Sequence, residues 1–292
     1  MAAIGLDRLR EWIGRTETRS DVISPAPVAA LSASLDHEYS RAVTGEALPA
    51  CWHWLYFQDV SPTAKLSVDG HAQRGDFLPP VPLPRRMWAG SRLRCAGPLK
   101  VGAQVRRIST IQSVGHKQGR NGDLVFVTVV HQIYCQDSLL LEEEQDLVYR
   151  GKDSTDGRSK PAPAPEPSVA VPAKTAEWAR EVYPDPVLLF RYSALTFNSH
   201  RIHYDRDYAT RDEHYDGLVV QGPLTATLLL DLLYREMPEV RVAAFEFRAQ
   251  RPLYEGRVLH LRGTLDGQHV ILRALDAVGN VAMEARASLA TD

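Results

Sequence analysis

Two periodicities alternate along this chain. Every-second-residue alternation of apolar and polar side chains runs through Leu124–Tyr134, Leu139–Tyr149, Val258–Gly263, Val270–Leu275 and Val281–Leu289. Each stretch predicts a β-strand, because successive side chains of a strand point to opposite faces. Helical spacing is strongest from Pro223 to about Met237, where Leu224, Leu228, Leu229, Leu232 and Leu233 recur with proline at an early position and Pro238 at the end. That stretch is apolar on most sides, which predicts a buried helix. Leu6, Leu9 and Ile13, closed by Gly14, predict a short amphipathic helix; Val28–Leu35 and Glu38–Val43 are shorter helical candidates, and Val187–Phe197 reads as an extended start to the second half.

The two halves repeat one another. Arg92–Gly102 can be laid on Glu246–Gly256, each an alternating strand followed by Pro-Leu-x-x-Gly and further strands. Between them lies a polar turn and then Pro161, Pro163, Pro165, Pro167 and Pro172, which predicts a stiff linker. The expected organisation is residues 1–150, a linker at 151–173, and residues 174–292. A buried helix wrapped by a curved antiparallel sheet is an α+β arrangement. The position of the corresponding helix in the first half is not evident from the pattern.

Composition narrows the function. A net charge of −2 over 292 residues argues against nucleic acid as a partner. No apolar run is long enough to span a bilayer, and the N-terminus lacks a signal core, so a cytoplasmic protein is expected. Cys51, Cys95 and Cys135 are far apart and without a Cys-x-x-Cys, which speaks against disulfides or a zinc site; no metal is expected.

The densest chemistry is Phe197-Asn198-Ser199-His200-Arg201-Ile202-His203-Tyr204-Asp205, followed by Gly217-Leu218-Val219-Val220-Gln221-Gly222-Pro223 at the start of the long helix. A loop rich in bases beside a helix start can hold a water and stabilise a developing oxyanion. This pattern resembles the MaoC-like, (R)-specific enoyl-thioester hydratase family, whose signature is Asp-x-Asn-Pro-x-His-x-Asp. His203, Asp205 and Ala209 match its second part, Asn198 stands where the family has its catalytic Asp, and Gln221-Gly222-Pro223-Leu224 resembles the family's helix start. The missing acid, the segment Leu83-Pro84-Arg85-Arg86-Met87-Trp88 and the fused halves make the chain similar to mesaconyl-CoA (3-methylfumaryl-CoA) and itaconyl-CoA hydratases, and also to mitochondrial-type 3-hydroxyacyl-thioester dehydratases. The resemblance implies a double hotdog fold, an acyl-CoA substrate with no further cofactor, and one active site per chain, because the first half has no Asp or Asn five residues before a His.

Hydration of an enoyl thioester needs a base for water, a donor for the thioester oxygen and a proton for the α carbon. His203 is the expected base, since imidazole exchanges protons near neutral pH. Asn198 can orient the water through either end of its amide but cannot accept a proton as Asp would. The resemblance assigns the oxyanion donor to the amide of Gly222. His200 and Asp205 are expected to support the loop. Arg85, Arg86, Trp88, Phe197 and Gln221 are candidate substrate contacts, and either arginine could pair with an acyl carboxylate. A non-catalytic acyl-CoA-binding module of the same fold is the alternative, and a homodimer is expected.

Overall fold

The computed structural model describes residues 5–38, 42–119, 122–151 and 177–290. The first half contains α1 (Leu6–Arg10), β1 (Thr16–Val22), α2 (Pro25–Ser34), β2 (Arg85–Cys95), β3 (Gln104–Gly119), β4 (Gly122–Cys135) and β5 (Ser138–Arg150). The second contains β6 (Trp178–Val182), α3 (Pro186–Leu195), α4 (Gly222–Glu236), β7 (Val242–Ala249), β8 (Leu259–Asp266), β9 (His269–Leu275) and β10 (Val281–Leu289). Among the described residues all ten strands form one antiparallel sheet, ordered β1-β3-β4-β5-β2-β7-β10-β9-β8-β6. Read from either edge to the middle, the order is β1-β3-β4-β5-β2 and β6-β8-β9-β10-β7, so the halves share one topology. The Pro-Leu-x-x-Gly turns are also equivalent: Lys100 and Tyr254 each make a single antiparallel bridge, to Ala47 and Val219, and Gly102 and Gly256 both take positive φ.

The seam is the pairing of β2 with β7, from Gly90 opposite Arg248 to Arg94 opposite Ala244. A Cβ at Gly90 would lie 2.3 Å from the Phe247 carbonyl oxygen, so only glycine lets the strands close there. In the second half the sheet wraps α4, and every residue from Leu224 to Leu233 is buried. The one charge among them is Asp231, which accepts from His37 at 2.6 Å and Arg235 at 2.9 Å and also pairs with Arg180. The two arginine charges and the His37 hydrogen bond offset the cost of burying a carboxylate.

The first half builds its counterpart of α4 differently. The chain after Ala47 makes only two short 3₁₀ turns, Trp52–Leu55 and Thr63–Lys65, and otherwise runs as a long loop until β2. The inner face of β3–β5 is therefore left with polar groups as well as apolar ones. Glu143, 2 % exposed, accepts hydrogen bonds from His53 at 2.9 Å, Trp54 at 3.0 Å and Ser91 at 2.7 Å. Burial alone would raise its carboxyl, but the bond and charge of His53, with His131 and Ser91 adding, hold it at about 2.

The long helix, β4, β5, β9 and β10 lie where the periodicity puts them. Residues 187–197 do not: they form most of the helix α3, started by Pro186 and capped by the Asp185 carboxylate, which accepts from the Leu188 amide at 2.7 Å. Arg85–Trp88, which shows no strand pattern in the sequence, opens strand β2. The proline-rich linker lies outside the described residues, as do residues 39–41 of the candidate helix Glu38–Val43. All three cysteines are free, and burial pushes the Cys51 thiol well above its ordinary range. No described helix is long and apolar enough to cross a membrane.

Candidate active site

A cleft between the halves is lined by Asn198, His203, Gly222, Arg86 and Trp88, among others, with His71 and the polar inner face of the first half along its other wall. One edge of it is built from the loop after α3. Phe197 turns the chain with φ of 51° and is half exposed. The Asn198 side-chain oxygen then accepts the His200 amide at 3.0 Å. Because a backbone N–H requires an acceptor, this bond orients the amide group. The NH₂ end is left without a partner among the described residues, so Asn198 presents a donor to the cleft. Arg201–His203 form a single 3₁₀ turn that carries the imidazole inward.

His203 is 7 % exposed, and its Nδ1 lies 2.7 Å from the Val219 carbonyl. A carbonyl only accepts, so Nδ1 carries the proton and Nε2 is the free basic nitrogen. Burial holds the imidazole at about 4, so it is uncharged and able to accept a proton at neutral pH. Asp205 supports this turn as expected: it accepts from Arg201 at 2.7 and 3.0 Å and from the Tyr208 amide at 3.0 Å.

Val219 leads directly into α4. Gly222 is its first residue, and the Gly222 amide has no hydrogen-bond acceptor among the described residues, as expected of a helix N-terminus. Trp88 lies alongside, with its carbonyl oxygen 3.9 Å from where a Gly222 Cβ would be. Gln221 is not brought into the cleft. It is 1 % exposed and its NH₂ donates to the Leu189 carbonyl and the Ser193 hydroxyl, both at 2.9 Å, bolting α4 to α3.

The two candidate arginines divide. Arg85 is 7 % exposed and bound to Glu213, with Nε 2.6 Å from the carboxylate and Nη2 donating to the Glu213 carbonyl at 3.0 Å. Arg86, the next residue of β2, has no such ion pair with a carboxylate among the described residues. It lines the cleft, and its charge bears on Tyr149, His71 and His200.

The motif did not reveal Asp69 and His71. They sit on a tight turn of the long first-half loop, closed by a bridge between Leu66 and Ala72. That turn is clamped onto the catalytic loop: the Arg201 amide donates to the Asp69 carbonyl at 2.9 Å, Ser199 Oγ to the Gly70 carbonyl at 2.6 Å, and Arg201 Nη1 to the Val68 carbonyl at 3.1 Å. Gly70, at φ of 89°, passes so close that a Cβ would be 1.9 Å from the Ser199 carbonyl oxygen. The His71 ring stands 4.1 Å from that of His200, which stands 5.4 Å from that of His203.

Three histidines shielded from water, His203 fully and His71 and His131 in part, give a stability prediction. Burial holds His71, His131 and His203 near 4, against 6.5 for a free imidazole. Between those values the unfolded chain binds protons that the folded chain does not, so stability is complete above about 6.5 and is lost as the pH falls toward 4. The lowered Asp69 and Glu143 carboxyls act only below this window. A loss on the order of a few kcal/mol is expected between pH 7 and 4.5. Thermal melts across that range would show it as a falling Tm, and a flat Tm would refute it.

Comparison with known proteins gives the family of the chain and its fold. Residues 51–255 match the family model described as hydroxyacyl-thioester dehydratase type 2. The chain is 45 % identical over 278 residues to a mesaconyl-C(4)-CoA hydratase of Chloroflexus aurantiacus, covering 95 % of this chain and 96 % of that protein. It is 28 % identical over 271 residues to the mitochondrial hydroxyacyl-thioester dehydratase type 2 of Schizosaccharomyces pombe, covering 82 % and 87 %. In structure it is similar to a MaoC-like dehydratase from Phytophthora capsici, with a TM-score of 0.67 at 14 % identity and 99 % of both chains covered. It is also similar to a double-hotdog protein of Mycobacterium tuberculosis, with a TM-score of 0.54 at 15 % identity and 95 % and 96 % covered. An imidazole with a free Nε2, a free helix-start amide and two fused hotdogs thus stand together in a chain that belongs to the hydroxyacyl-thioester dehydratase type 2 family of hydro-lyases.

Proposed function

We propose that the protein adds water across the double bond of a short, unsaturated dicarboxylic acyl-CoA of the mesaconyl-C(4)-CoA kind. The observation that carries this reading is Arg86, a guanidinium on the cleft wall beside the histidines with no carboxylate partner among the described residues, while its neighbour Arg85 is consumed by Glu213. A fatty acyl chain would leave that cation facing apolar matter; a carboxylate next to the reacting carbon would pair with it. The amide at position 198 fits the same reading, because a donor there suits an anionic acyl group and an Asp would repel it. The similarity to the Chloroflexus hydratase supports the substrate class.

The reaction follows from the groups present. Water lies between the Asn198 NH₂ and His203. His203 Nε2 takes its proton as the oxygen bonds to the β carbon. The electron pair of the double bond moves to the thioester oxygen, where the Gly222 amide and the positive end of α4 stabilise it. Nε2 then returns the proton to the α carbon, and the imidazole is regenerated. One imidazole serving both transfers places water and proton on the same face of the double bond.

Steady-state rates on mesaconyl-C(4)-CoA and crotonyl-CoA test the substrate. A kcat/KM preference for the dicarboxylic substrate is expected. Arg86→Gln is expected to lower kcat/KM for it by about 10–100-fold, the value of a hydrogen-bonded charge pair, and to change crotonyl-CoA turnover little. A strong crotonyl preference in the wild-type protein would instead favour (R)-3-hydroxyacyl-thioester dehydration in fatty acid synthesis.

A further inference from the structure

The Leu66–Ala72 turn is docked by main-chain carbonyls, those of Val68, Asp69 and Gly70. Docking therefore leaves the side chains of Asp69 and His71 free for another task. The Asp69 carboxylate takes the His71 amide at 3.0 Å and the His71 ring Nδ1 at 3.0 Å. This fixes the ring with Nδ1–H toward the carboxylate and Nε2 unprotonated. One oxygen of Asp69 and one ring nitrogen each of His71 and His200 all lie within 4.8 Å of one another. His200 in turn meets His203 edge to face. The result is a row of three imidazoles ending on a single carboxylate, and the carboxylate comes from the half of the protein without the motif.

This row stands beside the position where the family motif has an acid and this chain has Asn198. During turnover His203 carries a proton and one positive charge in a buried setting, where burial and His71 both disfavour that charge. Asn198 cannot balance it. We propose that Asp69 and His71 are positioning residues of the active site, and that Asp69 supplies, through His71 and His200, the anion that residue 198 lacks. The first half then contributes to the chemistry and not only to the walls of the cleft. The groups that face the row from other elements are Arg74 and Arg86, both cationic. They oppose a metal ion among these ligands, and among the described residues Asp69 is the acid that acts on both His71 and His200.

The inference rests on the hydro-lyase reading but not on the dicarboxylic substrate, so it is tested on crotonyl-CoA, whose acyl group is uncharged. Asp69→Asn keeps an acceptor for the turn and removes the charge. It is expected to lower kcat by about 10–100-fold, as loss of a partner behind a reacting group does, with KM within about threefold and Tm nearly unchanged. Placing Asn198→Asp in that background is expected to restore at least about tenfold of the lost kcat, because it returns the anion by the family's own route. A purely structural role would not be repaired by a charge at residue 198. If Asp69→Asn does not fold, His71→Gln, which leaves the docking carbonyls in place, carries the same expected loss in kcat and the same expected rescue. A folded variant with kcat within twofold of wild type, a loss that Asn198→Asp does not repair, or abolition of wild-type activity by EDTA would each overturn the inference. Failure of the substrate reading shows separately, as loss of the mesaconyl preference in the wild-type protein.

Discussion

His203→Gln is expected to lower kcat by about 10³ with little change in KM. The loss falls on kcat because Nε2 acts on the reacting atoms and holds nothing that the ground-state complex needs. Glutamine is the informative replacement. Its amide can still donate to the Val219 carbonyl, which His203 reaches at 2.7 Å, so the turn before α4 keeps its buried bond while the proton acceptor is lost. The neighbours do not replace it. Asn198 cannot take a proton, and burial, with any proton on His71 or His203 adding to it, drives His200 still lower as a base. Steady-state kinetics on any enoyl-CoA that the wild-type protein hydrates would decide. A loss below tenfold would move the base to another residue.

How much of this was legible in the sequence depends on what kind of signal each part leaves. The strands β4, β5, β9 and β10 and the helix α4 bury one face or most faces, so their apolar spacing is visible. The edge strands β1 and β6 do not; Thr-Glu-Thr-Arg-Ser-Asp-Val is polar nearly throughout, because β1 pairs on one side only and covers little core. The helix α3 was hidden by its run Val187–Phe190, which reads as a strand unless Asp185-Pro186 is recognised as a cap and first turn. Within the site, His203, Asn198 and Gly222 were legible because one loop and one helix start carry them. No sequence signal separated Arg85 from Arg86: both line the cleft, and only the fold brings Glu213 to Arg85. Asp69 and His71 left no signal. They reach the site only by folding, with Gly70 bonded to a residue 129 positions away. The missing helix of the first half was equally silent, because the loop that replaces it has no period. That loop delivers the turn, so the absence of a helix in one half and the presence of extra site residues are the same structural fact.

Gly222→Pro is expected to lower kcat by about 10²–10³, the usual cost of removing one oxyanion donor, while Gly222→Ala is expected to cost far less. Proline is the one residue that deletes the amide N–H, and this position accommodates it. Gly222 opens α4, where proline is favoured and no helical bond is lost. Gln221 before it already has φ of −60° and ψ of 133°, the extended conformation that a residue preceding proline adopts. A circular-dichroism melt near the wild-type Tm would confirm that the helix is intact. Alanine keeps the N–H, and its Cβ would meet no protein atom closer than the Trp88 carbonyl oxygen at 3.9 Å. Any cost in the alanine variant therefore measures how closely the thioester approaches the helix start, and it should fall mainly on KM. The two variants separate the donor from the space beside it. If proline left kcat within tenfold of wild type, the charge developing on the thioester oxygen would have to be met by another donor, and the next free amide of the first turn, that of Leu224, would take the role assigned to Gly222.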